Sequence, residues 1–168
     1  MKIRLVFGLI VCSVIGMNQT IAAEQPIVVD IKRMSLDVAL RIAQATIEQC
    51  RKEGVQVAVT VVDRGGHPQV VLRDVLAQDL TLTISRMKAY TAMSFNMATS
   101  AMEGRFTSPF SIGKVEGIVV SAGGVPVTAS GNIIGGVGVS GAPSGKTDEK
   151  CAKAGVAAVI DDLEMATM

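Results

Sequence analysis

The sequence contains no tryptophan, one tyrosine and four phenylalanines. Proteins that bind single-stranded nucleic acids stack the bases on aromatic side chains, so a platform of that kind is not expected here. An excess of one charge is also absent, because 16 basic and 15 acidic residues give a formal net charge of +1. Nucleic-acid phosphates are held by clustered cations, and no basic run is found. The chain is therefore not predicted to bind nucleic acid.

Histidine and cysteine are scarce, with one histidine and three cysteines in the chain. Zinc sites need several of these ligands at short, regular spacings, and no such spacing is present. A serine-type catalytic triad would have to use His67, but no serine lies in the strand-to-helix context of such a nucleophile. No catalytic constellation is recognised, and the sequence leaves enzymatic activity open.

The first residues have the pattern of a secretory signal peptide. Two basic residues precede an apolar stretch from Leu5 to Met17, and cleavage is expected after Ala22 or Ala23. A membrane anchor is the alternative, but the stretch is shorter than the roughly 20 residues that a spanning helix needs. The sequence thus predicts a signal peptide over 1–23 and one domain over 24–168. The predicted location is periplasmic or secreted, without stable membrane insertion.

Two cysteines, Cys50 and Cys151, remain after the predicted cleavage. Export would place them where a disulfide persists. Pairing requires that their Cα atoms approach within about 7 Å, which a sequence does not reveal. The alternatives are a disulfide and two buried free thiols, and we favour the free thiols.

Apolar residues recur every three or four positions in three parts of the chain, which is the period of an amphipathic helix. The first helix is predicted from Ser35, a favourable N-cap, to Glu53. The second, from Asp79 to Met102, has two apolar faces and therefore needs two neighbours. One neighbour is the sheet, and the other is a second subunit or a ligand. The third helix is predicted from Asp148 to Leu163.

Short β-branched and apolar segments separated by glycine-rich turns predict strands. Tight turns between neighbouring strands require antiparallel pairing. The predicted fold class is α/β (α+β), a single domain with a five-stranded antiparallel sheet flanked by helices. The predicted strands are Val55–Asp63, Val70–Leu72, Ile118–Ser121, Val125–Thr128 and Ile133–Ser140, with Ile27–Ile31 as a further short strand or an extended arm.

The segment SGAPSGKT, Ser140 to Thr147, resembles a phosphate-binding loop but lacks its first glycine. Such a loop follows an early strand, whereas this segment precedes the last predicted helix. We therefore interpret Thr147 as the N-cap of that helix. Glycines within the preceding strands indicate bulges, or the close approach of a helix, a ligand or another backbone.

Four segments stand out, and they are GGHPQVVLRDVLA (65–77), RMKAYTA (86–92), GGVPV (123–127) and GNIIGGVGVSGAPSGKTDEKCAKAG (131–155). They closely resemble the GlcG/HbpS family, the haem-degrading-domain family, and they occur in the family's order. Their similarity extends over nearly the whole predicted mature chain. The form LRD-x-LA after the histidine is similar to exported HbpS-like members, although the part between Phe95 and Ile118 is short for the family. The resemblance implies an α/β domain with an antiparallel sheet, assembly into oligomers and, in some members, binding of haem or a related tetrapyrrole.

His67, as the sole histidine, is the first candidate for a haem-iron ligand. The alternative is an exposed turn residue that precedes a proline. Tyr90 and the methionines are further candidate ligands, although methionine on a helix more often fills the core. These methionines are Met87, Met93, Met97 and Met102.

Arg73, Lys88 and Thr91 lie inside the segments that match the family. Lys88 and Thr91 are three residues apart and therefore neighbours on one helix face. A cation here would pair with a haem propionate or an organic acid, and the threonine hydroxyl would add a hydrogen bond or weak ligation. The alternative is that both cations form ion pairs with Asp74 or Asp79.

The residues and the resemblance together predict an exported bacterial protein that binds haem, or another carboxylate-bearing small molecule, as a homo-oligomer. The second helix face around Met93 and Met97 supports assembly, because exposed apolar surface needs cover. One alternative is a GlcG-like enzyme or accessory protein of small organic-acid breakdown. Another is a structural or signalling partner without a ligand.

Overall fold

A computed structural model describes residues 26–167 of the chain. One compact unit begins at Ile31 and contains all the helices and strands described below. The predicted signal peptide, 1–23, lies outside the described residues. Residues 27–31 form no strand. Within the described part of the chain, no helix has the length and apolar character required to cross a membrane.

The unit is a mixed α+β domain with four α-helices and a four-stranded antiparallel sheet. The strands are ordered β2-β1-β4-β3. The elements are α1 (Leu36–Lys52), β1 (Ala58–Asp63), β2 (Pro68–Arg73), α2 (Leu80–Phe95), β3 (Gly124–Ala129), β4 (Asn132–Ser140), α3 (Gly145–Ala157) and α4 (Ile160–Thr167). Two short 3-10 helices, Thr99–Met102 and Ile112–Lys114, lie between α2 and β3.

The predicted fifth strand, Ile118–Ser121, is wrong. The backbone N–H of Val119 donates to Thr91 Oγ1 at 3.0 Å, and that of Ala122 donates to Glu103 Oε1 at 2.8 Å. Side chains from elsewhere therefore satisfy the amides that a strand would have offered to a neighbour. This segment runs into β3 without joining the sheet.

Helix α1 begins at its predicted cap, whereas α2 ends before its predicted end. The Ser35 hydroxyl accepts a hydrogen bond from the Val38 N–H at 3.3 Å, which confirms the predicted cap of α1. Helix α2 ends earlier than predicted, because Asn96 adopts a left-handed conformation with φ 47°. Asparagine tolerates this conformation, which commonly terminates a helix.

The third predicted helix differs at both ends. Ser144, not Thr147, caps α3, and its hydroxyl accepts from the Lys146 N–H at 3.2 Å. The helix is also interrupted after Ala157, and α4 begins at Ile160. The interruption allows Val159 and Leu163 to be buried in the core. Tertiary packing, which local periodicity does not reveal, thus divides the predicted helix.

The sheet is covered on both faces. Valines at alternate positions of β1 and β4 pack with α1 and α3, because successive strand side chains point to opposite faces. On the other face, α2 lies directly against the β4 backbone. A Cβ added to Gly138 would overlap the carbonyl oxygen of Ser85, so this glycine permits the close approach of the helix. Met93, expected on a face needing cover, is buried here beside Ala89.

Cys50 of α1 and Cys151 of α3 form a disulfide with a Cα–Cα distance of 5.4 Å. The preference for free thiols is therefore wrong. Both cysteines are fully buried. The bond connects positions 101 residues apart in the sequence, and only the packing of α1 on α3 brings them together.

Candidate functional site

The turn between β1 and β2 faces the exposed side of α2 and the loop that precedes β3. Together these elements enclose a half-open cavity of about 500 Å³. This volume is within the range of small-molecule sites, about 300–1,000 Å³. Its lining residues are Gly65, Gly66, His67, Arg86, Met87, Tyr90, Glu116 and Gly117.

Asp63, the last residue of β1, fixes the turn. Its Oδ1 accepts hydrogen bonds from the Gly65 N–H at 2.8 Å and the His67 N–H at 3.0 Å, while Arg33 lies 3.5 Å from Oδ2. Burial raises the pKa of this carboxyl, but the two backbone amides and Arg33 outweigh it and lower the pKa overall. The carboxylate is therefore ionised at neutral pH and holds the turn in one shape.

Gly66 places the turn against α2. A Cβ at this position would lie 2.6 Å from Tyr90 Cδ2 and 3.1 Å from Met93 Cε. The missing side chain thus allows the backbone to pack on the tyrosine ring. The adjacent His67 has an imidazole that is 80% exposed, with Nδ1 3.6 Å from Asp63 Oδ1. This imidazole stands at the cavity with its Nε2 free of that contact.

Helix α2 contributes Arg86, Met87 and Tyr90 to the cavity wall. Arg86 and Tyr90 are four residues apart, so they occupy adjacent turns on one face. Tyr90 is 40% exposed, and Arg86 is also exposed. Among the described residues, neither side chain has a hydrogen-bond or ion-pair partner. A guanidinium and a phenol are consequently available to a ligand.

Lys88 does not line this cavity. Its ammonium donates to Asp148 Oδ2 and to the Val139 carbonyl, each at 3.0 Å, and the residue is buried. Burial raises the pKa of the Asp148 carboxyl, whereas Lys88 and the Ala142 N–H oppose this rise. The expected partners Asp74 and Asp79 are wrong for Lys88. Its role as an anchor for a ligand carboxylate stays a prediction.

Thr91 is buried one turn further along α2. Its hydroxyl donates to the Met87 carbonyl at 2.7 Å and accepts from the Val119 N–H at 3.0 Å. The side chain therefore ties the segment before β3 to the helix. Its predicted contact with a ligand stays a prediction.

Arg73 lies at the opposite end of the β1–β2 hairpin from the turn. Its guanidinium donates to the Ala77 carbonyl and lies 3.3 Å from Asp79 Oδ1. The alternative of an ion pair with Asp79 is therefore confirmed for Arg73. It borders a separate recess with Arg51 and Asp74. The structure thus brings His67 to the cavity and leaves the other three predicted site residues outside its lining.

Comparison with known proteins agrees with this fold. The family model described as "Haem degrading protein HbpS-like" matches residues 34–157. The chain belongs to this HbpS-like family. It is 33% identical over 116 residues to an uncharacterized 15.0 kDa protein from the dhaT-dhaS intergenic region of Citrobacter freundii, a match that covers 66% of the chain and 82% of that protein.

Three solved structures share the fold. A double mutant of Streptomyces reticuli HbpS is 38% identical with a TM-score of 0.74, covering 82% of this chain and 94% of that chain. Klebsiella pneumoniae protein ORFY is 26% identical with a TM-score of 0.76, covering 81% and 97%. PduOC, solved as a complex with heme, is 26% identical with a TM-score of 0.68, covering 76% and 95%.

Sequence reasoning about this HbpS-like chain missed Arg86 and Glu116 as cavity residues. Arg86 had a signal, because its spacing of four from Tyr90 puts both on one helix face, separate from that of Lys88 and Thr91. Glu116 had none, since it lies in an irregular loop whose path depends on tertiary contacts. Tyr90 was identified only as an alternative iron ligand.

Proposed function

We propose that this chain binds haem or a related tetrapyrrole in the cavity between the β1–β2 turn and α2. The observation that carries the proposal is the exposed His67 imidazole beside two unpartnered polar side chains, Arg86 and Tyr90. Membership of the HbpS-like family supports it. So does the heme complex of PduOC, a protein with the same fold.

The donor set fits the chemistry of such a ligand. Histidine and tyrosine are both established protein ligands of haem iron. Met87 and the Tyr90 ring supply apolar contact surface of the kind that lines small-molecule pockets. Bound haem would supply an iron centre that coordinates nitrogen and oxygen donors. His67, through Nε2, is the residue that would hold that iron.

Asp63 supports His67 in this role. Metal-binding histidines commonly have a carboxylate near the second ring nitrogen, which orients the imidazole. The Asp63 carboxylate lies 3.6 Å from Nδ1 and also fixes the backbone on both sides of Gly66. The histidine is thus presented to the cavity by a turn with a defined shape.

We also propose that the protein is exported and works as an oligomer. The buried disulfide between Cys50 and Cys151 supports export, because disulfides persist mainly in oxidising compartments. Three exposed apolar residues near the start of α2, Val75, Leu76 and Leu80, support contact with a second copy.

A haemin titration of the purified mature chain tests the ligand. We expect a saturable Soret shift with a defined stoichiometry in the wild type, and a displaced Soret band in His67→Ala. Gln78→Ala, an exposed change outside the cavity, serves as the control and should behave as wild type. No shift at micromolar protein would refute haem binding. Loss of haem with release of bilin or free iron would instead indicate degradation.

A further inference from the structure

We infer that Arg86 and Glu116 orient the ligand, with Arg86 receiving its carboxylates and Glu116 keeping them away from the loop before β3. This inference rests on the proposed function. It assigns a binding role to Arg86, which no sequence prediction gave it. It also defines the ligand class more narrowly, as a tetrapyrrole with free acid groups along one edge.

The other predicted anchors are engaged within the fold. Lys88 is buried with its ammonium on Asp148, and the Arg73 guanidinium contacts Asp79 and a backbone carbonyl. Recruiting either cation would break an existing contact, and for Lys88 it would leave Asp148 buried without its partner. Arg86 requires no such exchange, because it is exposed at the cavity and unpartnered among the described residues.

The chemistry of Arg86 suits an acidic ligand edge. A guanidinium presents several N–H donors in a fixed planar arrangement and binds a carboxylate through two parallel hydrogen bonds. Arg86 also projects from the same face as Tyr90, four residues along the helix. One face of α2 therefore offers an aromatic surface and a cation to a single ligand.

Glu116 has the opposite charge on another part of the wall. It is exposed in the loop before β3, and among residues 26–167 it has no ion-pair or hydrogen-bond partner. Within the described part of the chain no ion pair joins Arg86 to Glu116, so both charges remain available. Like charges disfavour the approach of a carboxylate to Glu116. Arg86 on α2 and Glu116 in the loop before β3 therefore favour a single orientation of the ligand, with its acid groups towards α2.

The test is a thermodynamic cycle in which a charge is removed from the protein, from the ligand or from both, and the binding affinities are compared. Wild type, Arg86→Met and Glu116→Gln are each titrated with haemin and with haemin dimethyl ester, whose acid groups are neutral. We expect Arg86→Met to weaken haemin binding about tenfold or more, the scale of a charge-assisted hydrogen bond. It should leave binding of the ester nearly unchanged. Glu116→Gln should strengthen haemin binding about twofold to fivefold, as expected for removal of one screened like charge.

Two controls keep the outcomes distinct. Arg86→Lys retains the charge without the planar set of guanidinium donors, so it should bind haemin more tightly than Arg86→Met but less tightly than wild type. Lys52→Met removes a cation at the end of α1 and should leave the affinity for both ligands unchanged. Thermal melts check that every variant is folded. If wild type binds neither ligand, the proposed function fails. If wild type binds haemin and Arg86→Met binds it equally, or loses as much affinity for the ester, the role of Arg86 is refuted.

Discussion

Lys88 and Asp148 form a buried ion pair, with 3.0 Å between Nζ and Oδ2 and with side chains only 5% and 3% exposed. The pair joins the middle of α2 to the first turn of α3. Asp148 also accepts from the Ala142 N–H at 3.0 Å, so it fixes the loop that enters α3. This contact lies at the end of β4, away from the cavity lining.

Replacing Lys88 with methionine should therefore destabilise the protein. Breaking a buried pair leaves one charge uncompensated, and such changes cost about 3–5 kcal/mol. The free energy of unfolding, measured with urea, should fall by that amount. A Lys88→Met variant with wild-type stability would contradict the structural role of the pair.

The double variant Lys88→Met/Asp148→Asn is the matched control. It removes both charges, and the asparagine carbonyl oxygen still accepts from the Ala142 N–H. Most of the lost stability should return, because no unpaired charge remains buried. If the double variant is as unstable as the single one, packing of the lysine stem and not its charge is responsible.

The disulfide between Cys50 and Cys151 should contribute substantially to stability. Loss of a native disulfide from a small domain typically costs about 2–5 kcal/mol. We expect the variant Cys50→Ala/Cys151→Ala to unfold at a lower urea concentration than the oxidised wild type. Under reducing conditions the difference between the urea midpoints of the variant and the wild type should become smaller. Equal midpoints for the variant and the oxidised wild type would be incompatible with this expectation.

Glu149 should make the protein sensitive to acid. Burial raises the pKa of its carboxyl, but the Lys153 ion pair and the Ser100 hydrogen bonds outweigh it and lower the pKa. The pKa of a glutamate in an unfolded chain is about 4.3. The resulting stabilisation is present above that pH and is lost as the pH falls through the lowered folded-state pKa. Unfolding free energies measured from about pH 5 downwards should show this loss.

The substitution Glu149→Gln tests the assignment. Glutamine retains an acceptor for Ser100 but does not titrate, so this variant should lose less stability than wild type over the same acidic range. Glu48→Gln removes an exposed carboxylate of α1 and should follow the wild-type profile. A Glu149→Gln profile parallel to that of wild type would assign the acid sensitivity to other groups.

Assembly should depend on the apolar residues near the start of α2. Light scattering of the wild type should give the mass of a dimer or a larger oligomer. Leu76→Asp should lower that mass, because a buried unpaired carboxylate disfavours an apolar interface. Leu36→Asp places the same change at an exposed position of α1 and serves as the control. A monomeric wild type at micromolar concentration would refute the proposed assembly.

Sequence pattern predicted the fold where local signals and burial agree. The apolar run before Asp63 predicted a strand, which is β1, and Ser35 predicted the start of α1. The same logic failed at Ile118–Ser121, which is as apolar as a strand. The outcome there was decided by Thr91 and Glu103, whose oxygens accept amide hydrogens from this part of the chain. Such acceptors become neighbours only in the folded protein.

The candidate site shows the same limit. His67 could be identified from its chemistry, because a single histidine needs no spacing argument. The partner of Lys88 could not be identified, since Asp148 is 60 residues away in the sequence. The two side chains meet only once α2 and α3 have packed beside the end of β4. The sequence therefore identifies the charged residues, whereas the partner of each charge depends on the tertiary fold.

The glycine contacts between β4 and α2 also affect how the cavity tolerates change. At Gly136 and Gly138 the backbone of α2 contacts the backbone of β4 directly. The position of α2 on the sheet therefore does not depend on the size of side chains between the two elements. Arg86 and Tyr90 are exposed on the cavity wall. Substitutions there change the shape and charge of that wall while the helix axis stays in place. The backbone contacts of β4 with α2 therefore set the position of the helix, whereas exposed side chains on α2 set the chemistry of the cavity. Related chains can thus acquire different ligands on the same backbone.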